Sequence, residues 1–339
     1  MSAGICRLFS RFSVRDFQVE MRGLSNYRLS CCVNTLLQTL SATWEVLDLL
    51  LKWEAAGARP DSPNVPLQLK RVLSAMQGDL PQPAPHRDFL HCLDRHFIRL
   101  GAQHDADEVF LSILNLVQQQ IDDKALALEI QNLYKISVET HLQCLDCTSI
   151  QTRSSYMLSL PLHIKEDTNS LEGCMTSFFE HQELRGRDRW FCAQCGRKTT
   201  SKQGVKLLSL PPILCVHLKR FRNMYGSTRK LDCRVTFPET FDFSEIVKEA
   251  FSTGSEQNNT KYTLYAVVVH SGVAMCGHYT AYVCHGVNKR WYYANDGHVH
   301  QTSWEEVQTT YGGHYRDTAY MLMYRRGSKE EWKQPEFSG

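Results

Sequence analysis

The chain reads as an α+β protein, helical in its N-terminal part and strand-rich in its C-terminal part. Three observations carry that reading. Apolar residues recur at helical spacing between about 21 and 135. From Ile136 the pattern shifts towards alternation, with β-branched and aromatic residues gathered in short runs. Helices and strands are segregated instead of alternating, which argues against a βαβ architecture.

Residues 1–20 read as a flexible lead-in. Ser30 is placed to cap a helix that opens at Cys31, with Val33, Leu36, Leu37 and Leu40 on one spacing. Trp44 to Trp53 is strongly apolar, and Pro66 to Met76 carries Leu67, Leu69 and Leu73 at helical spacing. Asp105-Ala106-Asp107-Glu108 is a helix start with Asp at the N-cap and Glu at N3, ahead of Val109, Phe110, Ile113 and Leu114. Strands are expected at 154–162, 205–219, 262–269, 278–284, 289–294 and 318–324, with polar loops at 223–228 and 252–259. The charged run from Arg325 to Lys333 reads as a solvated tail.

The 339 residues, 42% hydrophobic and 22% charged, can bury a sizeable core as one large domain or two. A net charge of +2 leaves no electrostatic footprint for nucleic acid. No stretch has the roughly 18 apolar residues of a membrane span, and the N-terminus does not read as a signal peptide. The 13 cysteines comprise two CxxC pairs, the vicinal Cys31-Cys32 and seven single residues. An odd count in a chain this long fits a reducing cytoplasm or nucleus, with cysteine used for metal and catalysis.

Cys31 can become a strong nucleophile only as a thiolate, which a helix N-terminus and a nearby imidazole favour. Far downstream, Gly277-His278-Tyr279 opens a strand that a short turn at 285–288 returns through Lys289–Ala294. Folding that pair about Val287 sets His278 opposite Asp296 and one step from Asn295. Either Asn295 or Asp296 can then hold the imidazole in one tautomer, although Asn295-Asp296-Gly297 also reads as a plain turn. Cys144-x-x-Cys147 and Cys192-x-x-Cys195 have the local spacing of two zinc knuckles. Four thiolates leave no open position, so the ion expected is structural. His217, His285, His298, His300 and His314 receive structural or loop readings, and the single cysteines read as small apolar fillers or exposed thiols.

With these residues in view, the chain resembles the ubiquitin-specific proteases over nearly all of 21–326. The resemblance rests on Gly23-Leu24-Ser25-Asn26 through Cys31 to Gln38, on Gln103-His104-Asp105-Ala106-Asp107-Glu108, and on Leu210-Pro211-Pro212 with His217-Leu218-Lys219-Arg220-Phe221. Tyr262 to Val267, Gly277 to Tyr282, Trp291 to Asp296 and Ala319 to Tyr324 complete it. It implies a papain-like right hand: a helical thumb at about 21–135, fingers mainly at 136–220, and a β palm mainly at 221–326, followed by a tail at 327–339. It also implies a thiol isopeptidase with Cys31 as nucleophile, His278 as base, Asn295 as orienter, Asn26 as oxyanion donor and Zn2+ on the four paired cysteines.

Gln103, Asp105, Asp107 and Glu108 become candidates for contact with the basic C-terminal tail of a modifier, beside the plainer reading of the same carboxylates as a capped helix. Within the family, Cys31-Cys32, the Gln103 box, Asn295 and the short chain look most like the interferon-induced member. That likeness implies the interferon-stimulated, two-ubiquitin-fold modifier as substrate and the type I interferon receptor complex as a partner. Two competing readings are a ubiquitin deubiquitinase and a protease-fold scaffold with catalysis secondary. Arg28 and Leu29 depart from the family pattern, which nearly always has Gly at the first position and usually Asn or Gln at the second.

Overall fold

The computed structural model describes residues 21–54, 62–78, 80–248, 259–274, 276–285, 289–314 and 317–332. The expected lead-in and nearly all of the loop at 252–259 lie outside them. Among these residues, six helices lie between 31 and 134: α1 (Cys31–Ser41), α2 (Trp44–Lys52), α3 (Val65–Met76), α4 (Arg87–Arg95), α5 (Ala106–Gln120) and α6 (Lys124–Tyr134). Their starts follow capping chemistry. Asn64, Asp105 and Asp123 accept from the backbone N–H groups of Leu67, Glu108, and Ala125 with Leu126.

Every residue of α1 is buried, including its polar ones. Several of those polar groups are satisfied internally, as burial demands, although Gln38 Oε1 has no partner among the described residues. Gln38 Nε2 donates to Arg22 O at 2.8 Å, and Thr39 Oγ1 donates to Leu36 O at 2.8 Å. The helix therefore runs through the core and packs on the long strand Cys276–His285.

That strand belongs to an eight-stranded, largely antiparallel sheet. Its order is His298–Thr302, Arg290–Asn295, Cys276–His285, Lys261–Val273, Thr318–Arg326, Ile213–Leu218 and Leu160–Leu162, with Thr240–Asp242 also pairing on Lys261–Val273. The central strands are apolar on both faces: Tyr262 to His270 and Thr318 to Arg325 are buried throughout. A separate four-stranded sheet runs Ile150–Met157, Ile136–Cys144, Ser201–Ser209 and Gln182–Leu184. Cys144 ends one of its strands, facing Ser201, while Cys192 and Cys195 belong to a separate hairpin, Trp190–Cys192 with Arg197–Thr199.

Several expectations change. The run 205–219 divides at Leu210-Pro211-Pro212, because proline cannot donate to a ladder. Its second half, Ile213–Leu218, joins the large sheet instead of the finger sheet, as does Leu160–Leu162. The loop expected at 223–228 is a hairpin, Phe221–Met224 with Ser227–Lys230, turning at Tyr225-Gly226 where φ is 48° and 81°. Positive φ at both corners is the turn that suits strand twist. His298 and His300 lie in a strand, not in a loop.

The solvated tail is also corrected. Arg325 is buried at the end of a sheet strand, its guanidinium 3.4 Å from the Trp44 ring centroid and bonded to Glu45. Trp332 packs edge-on against Trp44. Charge alone made this segment look exposed, whereas a guanidinium is readily buried between aromatic rings and a carboxylate.

Candidate active site

Cys31 sits at the first position of α1 and is 3% exposed. The expected Ser30 cap does not form: Ser30 Oγ accepts from Tyr27 N–H at 2.8 Å instead, and no side chain caps α1. The first-turn N–H groups are thereby left for negative charge developing at Cys31.

His278 approaches from strand Cys276–His285, close enough to Cys31 for the thiol to act on its titration. Its Nε2 lies 2.7 Å from Asn295 Oδ1. Since the amide oxygen can only accept, Nε2 carries the proton and Nδ1 turns to the thiol. The His278 pKa is raised to about 9, first by the hydrogen bond to Cys31; burial opposes the rise and the Asn295 bond adds to it. Cys32 is not equivalent. Burial, and then the charge of Cys31, push its thiol well above the usual range.

The hairpin register differs by one from the expected one. Ala281 faces Ala294 and His285 faces Arg290, a register that continued would set Gly297, not Asp296, opposite His278. Pairing stops at Ala281, and beyond it the strands are free to bring Asn295 to His278. Asp296 does not bond to the imidazole, which corrects its reading as a second orienter. Its carboxylate accepts from Asn26 Nδ2 at 2.9 Å and from Asn34 Nδ2 at 2.8 Å. Its backbone carbonyl accepts from Leu24 N–H at 2.9 Å. A Cβ on Gly23 would stand 2.4 Å from Gly297 O, so only glycine lets these two segments cross. Asn34 was not foreseen as part of the site; the available signal was a polar residue, with Gln38 one turn on, in a helix whose residues are all buried.

The Gln103 box is tied to the histidine strand. Gln103 Nε2 donates to Gly277 O at 3.2 Å, and Tyr279 Oη donates to His104 O at 2.9 Å. Its carboxylates do not form one patch. Asp105 caps α5 and accepts from Tyr320 Oη. Asp107 is buried 3.2 Å from His217 Nδ1, and His217 Nε2 is 3.1 Å from Tyr320 Oη. Of the four residues offered for the substrate tail, Gln103 and Glu108 are exposed. Asp105 and Asp107 instead join helix to sheet.

At the far end of the finger sheet, the Sγ atoms of Cys144, Cys147, Cys192 and Cys195 all lie within 4.8 Å of one another. Cys144 and Cys195 are 4.0 Å apart, and Cys147 and Cys192 are 3.5 Å apart. A tetrahedral zinc thiolate site needs about 3.8 Å between sulfurs, so the residues fit one ion. Each pair sits on a knuckle: Thr148 N–H donates to Cys144 O and Gly196 N–H donates to Cys192 O. Thr148 and Gly196 have φ of 61° and 65°. The Cys144 thiol is lowered first by Thr199, and the Cys192 thiol is lowered to about 6, first by a backbone N–H in the Cys195 knuckle. These two changes favour the thiolates a metal takes, whereas the Cys195 thiol is pushed up to about 12, first by its hydrogen bond with Cys147.

A family model described as ubiquitin carboxyl-terminal hydrolase matches residues 22–324. The chain belongs to the ubiquitin carboxyl-terminal hydrolase family. Membership makes it a cysteine-dependent isopeptidase of the hydrolase class, built on the mixed helix and sheet fold that the resemblance implied. Among its relatives, Ubl carboxyl-terminal hydrolase 18 from Homo sapiens is 35% identical over 321 residues, covering 92% of this chain and 86% of that one. The protein of the same name from Mus musculus is 36% identical over 314 residues, covering 90% and 85%. Ubiquitin carboxyl-terminal hydrolase 47 from Xenopus tropicalis is 28% identical over 373 aligned residues, covering 89% of this chain and 28% of that longer one.

Proposed function

We propose that the chain removes a ubiquitin-like modifier from substrate lysines through Cys31, His278, Asn295 and Asn26, with the interferon-stimulated two-fold modifier preferred over ubiquitin. The observation that carries the site assignment is the continuous Cys31–His278–Asn295 array at the N-terminus of α1. The Cys31 thiolate attacks the carbonyl carbon of the modifier's C-terminal glycine, and the C=O electron pair moves to oxygen. That oxyanion accepts from the Cys31 backbone N–H and from the Asn26 N–H not engaged by Asp296. On collapse, the C–N bond breaks and His278 Nδ1 gives its proton to the leaving lysine amine. His278 then takes a proton from water, which attacks the thioester and frees the modifier and the Cys31 thiol.

Gln103 and Glu108 are the proposed contacts for the basic tail of the modifier. The four paired cysteines are proposed to hold one structural zinc, which cross-links the finger sheet when bound and takes no part in the reaction.

The preference for the two-fold modifier rests on the likeness to relatives named for a ubiquitin-like substrate, together with Cys31-Cys32, the Gln103 box and the compact chain. The same likeness supports a part in negative regulation of type I interferon signalling, with the receptor complex as a partner. Location in the cytoplasm, and also the nucleus, accords with the free thiols of all the described cysteines. The test is a pair of C-terminally electrophilic probes, one for each modifier, applied to wild type, Cys31→Ala and Cys32→Ala. Wild type and Cys32→Ala are expected to label, and to label faster with the two-fold probe. Labelling of Cys31→Ala at the wild-type rate refutes the nucleophile, and equal rates with the two probes refute the preference.

A further inference from the structure

We propose that His86 is a positioning residue for the reaction: it orients the Asn34 amide, which holds Asp296, which holds Asn26 with one N–H directed to the developing oxyanion. This rests on the role of Asn26 proposed above and extends it to a residue on a different part of the chain. His86 immediately precedes α4 and is 3% exposed. Its ring lies 5.4 Å from that of Tyr27, in the turn that leads into Cys31.

Its Nε2 is 2.8 Å from Asn34 Oδ1. The opposite orientation of the Asn34 amide is excluded by its surroundings. Nδ2 faces three acceptors: Asp296 Oδ1 at 2.8 Å, Ser25 O at 3.3 Å and Leu24 O at 3.4 Å. Oδ1 must therefore be the atom facing His86, and His86 Nε2 must donate. Without that donor, the buried Asn34 oxygen loses its partner. The amide is then no longer held from that side, and the position of its N–H against the Asp296 carboxylate loosens.

Asp296 is poised to feel such a change. It is a non-glycine residue held at a φ of 50°, and its carboxylate is shared between the two asparagines. At the end of the chain, Asn26 Oδ1 accepts from Ser30 N–H at 3.3 Å while Nδ2 gives one N–H to Asp296. Both ends of that amide are thus assigned, and one N–H remains for substrate. Burial holds the His86 pKa below its ordinary value, so the ring stays neutral at working pH. Its Nδ1 also faces an acceptor, Ala84 O at 3.3 Å, and Ala84 and Asp296 oppose the effect of burial; the shorter contact, Nε2 to Asn34 Oδ1 at 2.8 Å, is the one that takes the single proton of the neutral ring.

The experiment measures hydrolysis of a modifier with an aminocoumarin amide at its C-terminus by wild type, His86→Leu, His86→Gln, Asn26→Ala and the His86→Leu/Asn26→Ala double variant. His86→Leu is expected to lower kcat about tenfold with KM changed less than about twofold. His86→Gln, whose amide N–H can reach Asn34 Oδ1, is expected to stay within about threefold of wild type. In the Asn26→Ala background, His86→Leu is expected to cost less than about twofold, since both changes act on one donor.

An equal loss from His86→Leu in both backgrounds, with kcat already lowered by Asn26→Ala, overturns the His86 proposal alone. An unchanged kcat in Asn26→Ala overturns the oxyanion assignment and this proposal with it. Should His86→Leu fail to fold, His86→Asn, too short to place a donor on Asn34, takes its place. Equal activity of the Asn and Gln variants overturns the proposal.

Discussion

At the scale of single residues, the thiol–imidazole pair determines how the enzyme responds to pH. His278 must be protonated to stabilise the Cys31 thiolate and to supply the lysine leaving group. With its pKa raised to about 9, the imidazolium persists through neutral pH and is lost as pH rises through that value. The alkaline limb of kcat/KM is therefore expected near pH 9, well above the ordinary histidine range. A limb near 6.5 would place the imidazole outside the influence of Cys31.

Three residues upstream of the nucleophile, Arg28 and Leu29 both adopt left-handed backbone, with φ of 48° and 62°. For residues with a Cβ this costs about 1–2 kcal/mol each. The departure from Gly at 28 thus has a physical cost on a segment that leads into the site. Arg28→Gly is expected to raise unfolding free energy by about 1 kcal/mol, part of the gain being offset by the freer unfolded chain. Denaturant titration measures it, and a destabilised glycine variant would show that the Arg28 side chain makes a stronger contact than its exposed position indicates.

At the scale of elements, the finger sheet and α5 respond to different chemistry. The four-stranded sheet is largely exposed along Ile150–Met157, so little apolar burial holds its far end together. Metal binding there is expected to act as folding energy. Metal analysis should find about one zinc per chain, and a strong chelator should lower the melting temperature while leaving kcat of the remaining folded enzyme nearly unchanged. Unaltered melting after complete metal loss would refute a structural ion.

At α5, Asp105 caps the helix and also accepts from Tyr320 in the sheet. Asp105→Ala is expected to cost about 1–2 kcal/mol, a cap together with a stranded tyrosine hydroxyl, with KM unchanged. A raised KM at unaltered stability would return Asp105 to the substrate tail. The helix start at Asp105 was readable because capping is local chemistry, confined to three or four residues; the caps at Asn64 and Asp123 are as local but were not read. The Ser30 cap and the loop at 223–228 were misread because competing partners, Tyr27 N–H and a facing strand, are visible only in three dimensions.

At the scale of the whole molecule, what the sequence made legible was whatever lies within one local box. The segregation into helices and sheet, the Cys31 and His278 boxes and the two cysteine knuckles each declare themselves by spacing. Asn34, His86 and Arg325 did not, because each acts through a partner that spacing cannot reveal. Arg325 shows the consequence most plainly. It lies 280 positions from Glu45, yet its Nε and Nη2 donate to that carboxylate at 2.8 and 3.0 Å, and Nη2 also donates to Ala42 O at 2.8 Å.

The guanidinium is enclosed by Trp44 and Tyr265, at 3.4 and 4.2 Å from their ring centroids. One side chain thereby fastens the last long strand of the large sheet to α2 and to the end of α1, the helix that carries Cys31. A charge that has already lost its water depends on its partner, so removing Glu45 leaves a cation with only a carbonyl and ring faces to stabilise it. Glu45→Ala is expected to cost about 2–3 kcal/mol, less than for a fully buried pair because Glu45 keeps some solvent. Arg325→Met removes the charge but keeps an apolar chain of similar length between the rings. In the Glu45→Ala background it should recover part of that loss, whereas in wild type it should destabilise. Unfolding midpoints of the four proteins close the cycle. If the two losses simply add, the pair is not coupled, and the ring faces alone hold Arg325 in place.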